Sequence, residues 1–229
     1  MYSNSLLHLL HLCDPALPIG SFSHSAGLET YVQEGIIAHR KAAEEFVREQ
    51  LSQNIFYTDA ALLSLAYDAA CTDDMQTILE LDEICNAVKL PMEMRLASHK
   101  LGIRLLKIFE SNKLFIMVNS YKAHTRNQHA SGHYSIAFGL LARAMQIDKQ
   151  EALAGFYYNT ATGLITNAVK LIPLGQQVGQ EMLMSLFPLI DELAKQGVSP
   201  DREMIGLCCA GFDIRCMQHE QLYSRLYMS

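Results

Sequence analysis

The sequence lacks the short motifs that mark common catalytic sites. It has no H-E-x-x-H metal motif and no G-x-S-x-G nucleophile motif. The segment PLGQQVGQ at residues 173–180 contains two glycines but lacks the Lys and Ser/Thr of a phosphate-binding loop. These absences argue against hydrolases, metalloproteases and nucleotide-binding proteins. We therefore expect a chain that is not an enzyme.

Clusters of positive charge are also missing. No run of Lys or Arg exceeds two residues, and the net charge is -6. A nucleic-acid partner or an anionic membrane surface is therefore not expected, and the acidic balance favours proteins or cations as partners. The longest uncharged stretch, residues 152–169, carries five Asn and Thr side chains, so it is interpreted as a buried helix rather than a membrane span.

The six cysteines include no C-x-x-C pair, and the N-terminus lacks the basic region and cleavage site of a secretory signal. Reduced thiols in a cytoplasmic protein are expected. Imidazole and thiolate side chains suit nickel or zinc. Two clusters are candidates: His8, His11 and Cys13 with His24, and Cys208, Cys209, Cys216 and His219. A structural role is the preferred interpretation, because these residues lie among apolar helical positions where cysteine behaves as a small hydrophobe.

Hydrophobic periodicity predicts an all-α fold, a single-domain bundle of about ten helices over residues 1–229. Asp73 or Asp74, and Asp148, are expected to cap helices. Thr58 or Asp59 is expected to start a new helix. The last clear helix is expected from residues 199–200 to about Cys209. No pair of alternating strands appears in the sequence.

The helix that Asp148 opens and Pro173 ends is apolar almost all round, with small or amide residues four apart on one face. Such a helix must be buried on most sides. The sequence leaves two alternatives open: it is the central helix of the bundle, or a second subunit covers one of its sides.

Residues 14–31, DPALPIGSFSHSAGLETY, form the most unusual connection in the chain. Two prolines and a glycine predict an ordered turn, and a helix is expected to start near Ser23 or Ser25 and end before Gly35. Phe22 and His24 would then be held beside a helix N-terminus. Taken alone, the pattern is typical of a helix-entry loop with a buried Phe.

The C-terminal residues 212–229 are rich in aromatic, aliphatic and Arg side chains, whereas termini are ordinarily polar and frayed. Tyr and Arg dominate interface hot spots. Two interpretations stay open: a last helix docked on its own bundle, or a partner-docking tail that becomes ordered on binding.

Five segments in order resemble the UreF family of urease accessory proteins: residues 14–31, PMEMRLASHKLG (91–102), HYSIAFGLL (133–141), NAVKLIPLGQQVGQ (167–180) and DIRCMQHEQLYSRLYMS (213–229). The resemblance implies an all-α, non-catalytic scaffold. It implies that the scaffold binds the accessory protein UreD, also called UreH, forms a homodimer, and recruits the nickel-carrying GTPase UreG to the urease apoprotein. It further implies that no cofactor is bound tightly and that nickel is handled by the complex.

Carried onto matching positions, the resemblance implies partner contacts at Phe22, His24, Tyr223 and Arg225. Phe22 stands where relatives often have Tyr. The resemblance also implies a dimer contact around Ala154, Gly155 and Tyr158. Two other hypotheses remain: a metal-dependent enzyme or direct nickel-storage protein, based on nine His and six Cys, and a regulator of the partner GTPase that uses Arg225 as an arginine finger.

Overall fold

A computed structural model of the chain describes residues 4–20, 24–110, 112, 115–207 and 209–228. Regular structure in these ranges is entirely helical, which confirms the all-α prediction. The α-helices are α1 (Ser5–Leu12), α2 (Leu28–Gln33), α3 (Arg40–Glu49), α4 (Ala61–Cys71), α5 (Met75–Val88), α6 (Met92–Ile108), α7 (Ile116–Arg126), α8 (Tyr134–Ala144), α9 (Lys149–Leu171), α10 (Gln176–Ser185), α11 (Phe187–Gly197) and α12 (Ala210–His219).

Two helix starts were correctly predicted from the capping residues. The Asp74 carboxylate accepts a hydrogen bond from the Thr77 amide at 3.0 Å, and α5 begins at the next residue. The Asp148 carboxylate accepts from the amides of Gln150 and Glu151 at the start of α9. Each cap satisfies amide donors that have no partner within the first helical turn.

The predicted new start at Thr58 or Asp59 is wrong. A π-helical stretch, Gln50–Ala60, joins α3 to α4 without interruption. Neither side chain acts as a cap, because the Thr58 hydroxyl donates to the Asn54 carbonyl and the Asp59 carboxylate pairs with Lys89 at 2.7 Å. Asp59, a residue type that often caps helices, here lies inside the π-helical stretch and pairs with Lys89 at the end of α5.

The prediction of a last helix near residues 199–209 is also wrong. Asp201 caps only a 3₁₀ turn, Arg202–Met204, and the chain then turns at Gly206 with φ of 81°. The Gly206 amide donates to the Tyr57 carbonyl at 2.8 Å, a non-local hydrogen bond that replaces helical pairing. The final described helix is α12.

The start of α2 also differs from the expectation. Ala26 and Gly27 both have positive φ, so α2 begins only at Leu28, with Gly27 rather than Ser25 in the capping position. Ser23 lies outside the described residues. The expected helix end before Gly35 is confirmed, because Gly35 has φ of 72°.

The core is built around α8 and α9. All residues from position 135 to 142 on α8 are buried, and α8 packs against α4 and α6. Gly102 on α6 allows this approach, because a Cβ there would overlap the backbone just before α8. Helix α9 packs against α10, α11 and the π-helical stretch, so it is a central helix, although Tyr158 and Thr166 remain exposed.

Among the described residues, no helix combines the length and low polarity needed to cross a membrane.

Candidate functional site

Two carboxylates hold the C-terminal segment, which is defined here as residues 220–228. They lie on α2 and α6, helices that are far from this segment in the sequence. Glu29 on α2 is only 3% exposed and accepts hydrogen bonds from the backbone amides of Leu226 (2.7 Å) and Tyr227 (3.1 Å). Glu93 on α6 pairs with the Arg225 guanidinium at 2.6 Å. The segment is therefore attached to helices far upstream in the sequence.

His219, at the end of α12, links the two carboxylates. It is fully buried, its Nδ1 lies 2.7 Å from Glu93, and its Nε2 lies 3.2 Å from Glu29. The two ring nitrogens of His219 thus face one carboxylate each, and the ring bridges α2 and α6.

The C-terminal segment turns several side chains toward solvent. Tyr223 is fully exposed, and Leu226 and Met228 are exposed by 67% and 58%. Tyr227 points the other way and is buried. The backbone and Tyr227 thus fix the segment, while an aromatic and two apolar side chains remain accessible, which is the residue chemistry of an interface anchor.

His24, which follows the proline turn, is influenced by one of these carboxylates. Phe22, one of the expected partner contacts, lies outside the described residues. His24 is half-buried, and its pKa is lowered by burial and by the charges of Lys100 and Arg104, with Glu93 opposing them. His24 and Arg225 therefore both lie within the influence of Glu93. Two predicted contact residues that are 200 positions apart in the sequence thus share an electrostatic partner in Glu93.

The three residues expected at a dimer contact differ in accessibility. Gly155 lies under α1 of the same chain, because a Cβ there would come within 2.6 Å of Leu9 and 2.8 Å of the Cys13 sulfur. Ala154 is half-buried and packs against the core. Tyr158 is 41% exposed and lies beside the exposed ring of Phe187. Of these three residues, only Tyr158 presents a large apolar surface to solvent.

The proposed metal-ligand clusters do not assemble within the described part of the chain. No group of three or more His, Cys, Asp or Glu side chains there is placed to hold a metal ion. The His8 ring contacts the Met145 carbonyl, and His11 packs edge-on against Phe109. Burial raises the pKa of Cys13 to about 12, which favours the thiol over the metal-binding thiolate. Cys208 lies outside the described residues.

Asp82 on α5 is a buried anchor that was not predicted from the sequence. This carboxylate is 1% exposed and accepts hydrogen bonds from the Tyr121 hydroxyl and from the backbone amides of Ser131, Gly132 and His133. It therefore fixes the loop that leads into α8. Its only sequence signal is an acidic residue beside apolar helix positions, which is also typical of an exposed helix face.

Next to this loop, two histidines face each other. The Nε2 atoms of His99 and His133 lie 3.1 Å apart, and His133 Nδ1 lies 3.0 Å from the Ser98 hydroxyl. Burial lowers the pKa of His133 from 6.5 to about 3. Burial also lowers the pKa of His99. Two imidazolium rings at this distance would repel each other, so the pair requires at least one neutral ring.

The first prediction concerns acid unfolding. Between pH 6.5 and about 3 the unfolded chain binds a proton at position 133 that the folded chain does not bind. The free energy of unfolding therefore decreases as the pH falls below 6.5. The His133 side chain contributes up to about 1.4 kcal/mol of this decrease per pH unit. Chemical denaturation between pH 6.5 and 4.5 should show a smaller slope for His133→Asn than for the wild type.

The exposed His129, three residues before Gly132 in the same loop, provides the matched control. His129→Gln leaves the pair of His99 and His133 in place, so it should retain the contribution of that pair to the pH dependence of the unfolding free energy. An unchanged slope in His133→Asn would contradict the assignment of acid sensitivity to the buried pair.

Comparison with known proteins gives a consistent result over almost the whole chain. The UreF family model matches residues 37–187. The urease accessory protein UreF of Actinobacillus pleuropneumoniae serotype 5b (strain L20) is 46% identical over 221 residues, covering 96% of this chain and 97% of the relative. The protein of the same name from Haemophilus influenzae (strain ATCC 51907 / DSM 11121 / KW20 / Rd) is 45% identical, covering 96% and 94%. That of Bacillus sp. (strain TB-90) is 32% identical, covering 99% and 100%.

Proposed function

The chain belongs to the UreF family of urease accessory proteins, and we propose that it acts as a non-catalytic scaffold in the maturation of the urease nickel centre. In this proposal it binds UreD (UreH) and recruits the nickel-carrying GTPase UreG to the urease apoprotein. The complex forms in the cytoplasm, and nickel is handled by the assembly without being held tightly by this chain.

The observation that carries the proposal is the construction of the C-terminal segment. Buried carboxylates hold its backbone, while Tyr223, Leu226 and Met228 are exposed. Exposed apolar side chains on a fixed backbone bind a partner with little loss of conformational entropy. A segment with a purely internal role would bury these side chains instead.

Co-purification tests the scaffold proposal. The tagged chain, co-expressed with UreD and UreG, is expected to retain both proteins through size-exclusion chromatography. Nickel and zinc contents of the isolated chain, measured by mass spectrometry, are expected to be well below one ion per chain. Capture of neither partner, combined with one tightly held nickel ion per chain, would favour the storage alternative.

The second prediction concerns the proposed homodimer. Tyr158→Glu is expected to weaken dimerisation by about a hundredfold or more, because an unpaired charge buried at an interface costs several kcal/mol. The fold should tolerate the change because Tyr158 is 41% exposed in the single chain. Light scattering coupled to chromatography, on the isolated chain and on its complex with UreD, measures the mass.

Lys170→Glu is the control, since Lys170 is an exposed residue on the same helix, near the C-terminus of α9 and about three turns from Tyr158. It should retain the wild-type mass. Gly155 is less suitable for the test, because a side chain there would displace Leu9 and Cys13 of the same chain. A Tyr158→Glu protein that stays folded and dimeric would refute the interface at this residue.

A further inference from the structure

A cavity of about 250 Å³ lies between the proline turn, the π-helical stretch, α6 and α9. Ile55, Leu101 and Phe156 contribute to its largely apolar wall. Thr166 also lines it and is exposed, so the cavity reaches the protein surface. Since a cavity of about 150 Å³ admits benzene, this one is large enough for a fused two-ring molecule.

Gly163, in the interior of α9, lines this cavity. A Cβ at this position would have no heavy atom of the described residues within 4 Å, apart from its chain neighbours and its own helix backbone. Glycine in a helix interior costs about 1 kcal/mol relative to alanine. Packing among the described residues does not require glycine here, and its absent side chain leaves room for another molecule to approach the helix.

The polar groups around the cavity include acceptors with unused capacity. Asp59 lines it and is 7% exposed, and its hydrogen bonds to Lys89 (2.7 Å) and Thr58 (3.3 Å) both use Oδ2. Oδ1 therefore retains its capacity to accept. The Lys89 ammonium forms an ion pair with Asp59, so this lysine and this aspartate together add no net charge to the described lining.

Residues of α9 add further acceptors. Asn167 is 2% exposed and donates from Nδ2 to the His24 carbonyl at 2.7 Å, while its Oδ1 has no hydrogen-bond partner among the described residues. Thr160 and Thr162 also line the cavity, and their hydroxyls donate to carbonyls of their own helix, so toward a ligand these hydroxyls can act only as acceptors. A buried acceptor without a hydrogen-bond donor costs free energy. A ligand that supplies the donor therefore gains binding free energy in addition to that of its apolar contacts.

We propose that this cavity binds a small, largely apolar, non-anionic molecule or side chain that carries an N–H or O–H donor, of the indole or phenol class. The apolar walls take up the ring, and the donor satisfies an acceptor of Asp59 or Asn167. A carboxylate on the ligand is disfavoured, because its charge would leave water for a largely apolar wall in which Asp59 and Lys89 are already paired with each other.

Three probes of similar shape test this on the wild-type chain. Indole is expected to bind at about millimolar concentration or tighter, as its nine heavy atoms allow. 1-Methylindole lacks the donor and should bind about tenfold more weakly, the usual effect of one buried hydrogen bond. Indole-2-carboxylate should not bind. Methyl NMR titration measures all three, with shifts expected at Ile55 and Leu101. Equal affinity for indole and 1-methylindole, or no binding of either, overturns the proposal.

Cavity filling provides the matched protein test. Gly163→Leu should reduce indole affinity by more than tenfold without lowering the melting temperature, since the new side chain enters open space on a helix. Gly211→Leu is the control, because Gly211 on α12 is equally unobstructed but does not line this cavity. Wild-type indole binding by a folded Gly163→Leu protein overturns the assignment. If the Gly163→Leu protein folds poorly, binding of the three probes to the wild-type chain still tests the proposal.

The donor-bearing ring has two natural sources, a free small molecule or a Trp or Tyr side chain of a partner. The co-purification experiment that distinguishes these two sources rests on the proposed function. If a partner side chain is the occupant, saturating indole and Gly163→Leu should both reduce UreD co-purification by more than tenfold. If the source is a small molecule, co-purification should not change. Should UreD fail to co-purify under any condition, the scaffold proposal fails while indole binding by the isolated chain still stands.

Discussion

Replacing Glu29 with alanine is expected to release the C-terminal segment from the body of the protein. The Glu29 carboxylate accepts from the backbone amides of Leu226 and Tyr227 and also faces Nε2 of the buried His219. Its removal leaves the two amide donors without acceptors in a buried region, which costs about 1 to 3 kcal/mol for each donor. For a chain of this size the melting temperature should fall by roughly 10 °C.

Hydrogen exchange distinguishes local release from general destabilisation. In Glu29→Ala the amides of residues 220–228 should lose protection by a larger factor than those of α8, and UreD or UreG capture should decrease with them. Glu49→Ala, which removes an exposed carboxylate on α3, should match the wild type in exchange and melting temperature. Unchanged protection of residues 226 and 227 in Glu29→Ala would refute the role of Glu29 as the anchor of the segment.

Arg225→Ala is expected to weaken partner recruitment about thirtyfold, the usual effect of losing a hot-spot side chain worth about 2 kcal/mol. Its effect on stability should be small. The Arg225 side chain is 39% exposed, and a partly exposed pair such as that with Glu93 contributes about 0 to 1 kcal/mol. Arg225→Lys should restore little, because the planar fork of donors is lost. Affinity for UreG and for UreD, measured separately by biolayer interferometry, identifies the partner that contacts Arg225.

Glu93→Gln tests whether Arg225 needs its ion pair with Glu93 in order to contact the partner. If Arg225 touches the partner, the loss of its ion pair with Glu93 should leave most of the affinity intact. If Glu93 is needed to place Arg225, both substitutions should weaken recruitment alike. Arg202→Ala, at an exposed arginine outside the segment, controls for loss of surface charge. Strong destabilisation of the isolated chain by Arg225→Ala, with wild-type partner affinity, would make the segment structural and refute its docking role.

Local sequence determined most of the helical architecture. Apolar residues at three- and four-residue steps identify a helix from neighbouring positions alone, and the Asp74 and Asp148 caps act within three residues. The resemblance of five ordered segments to one family was likewise readable without coordinates, and the whole-chain comparisons confirm it. These features depend on residues close together in the chain.

Tertiary structure decided how the chemically important carboxylates are used. Asp59 looked like a helix start, but a lysine 30 positions away makes it one half of an ion pair. Glu29 and Glu93 lie on different helices and differ little in sequence from surface acids, yet the end of the chain folds back to them over 197 and 132 positions. Whether a carboxylate is solvated or buried depends on donors brought by distant segments, because burial without them is unfavourable. Sequence alone therefore identified the helices and the family, and only the packing of the chain showed which acids hold the C-terminal segment in place.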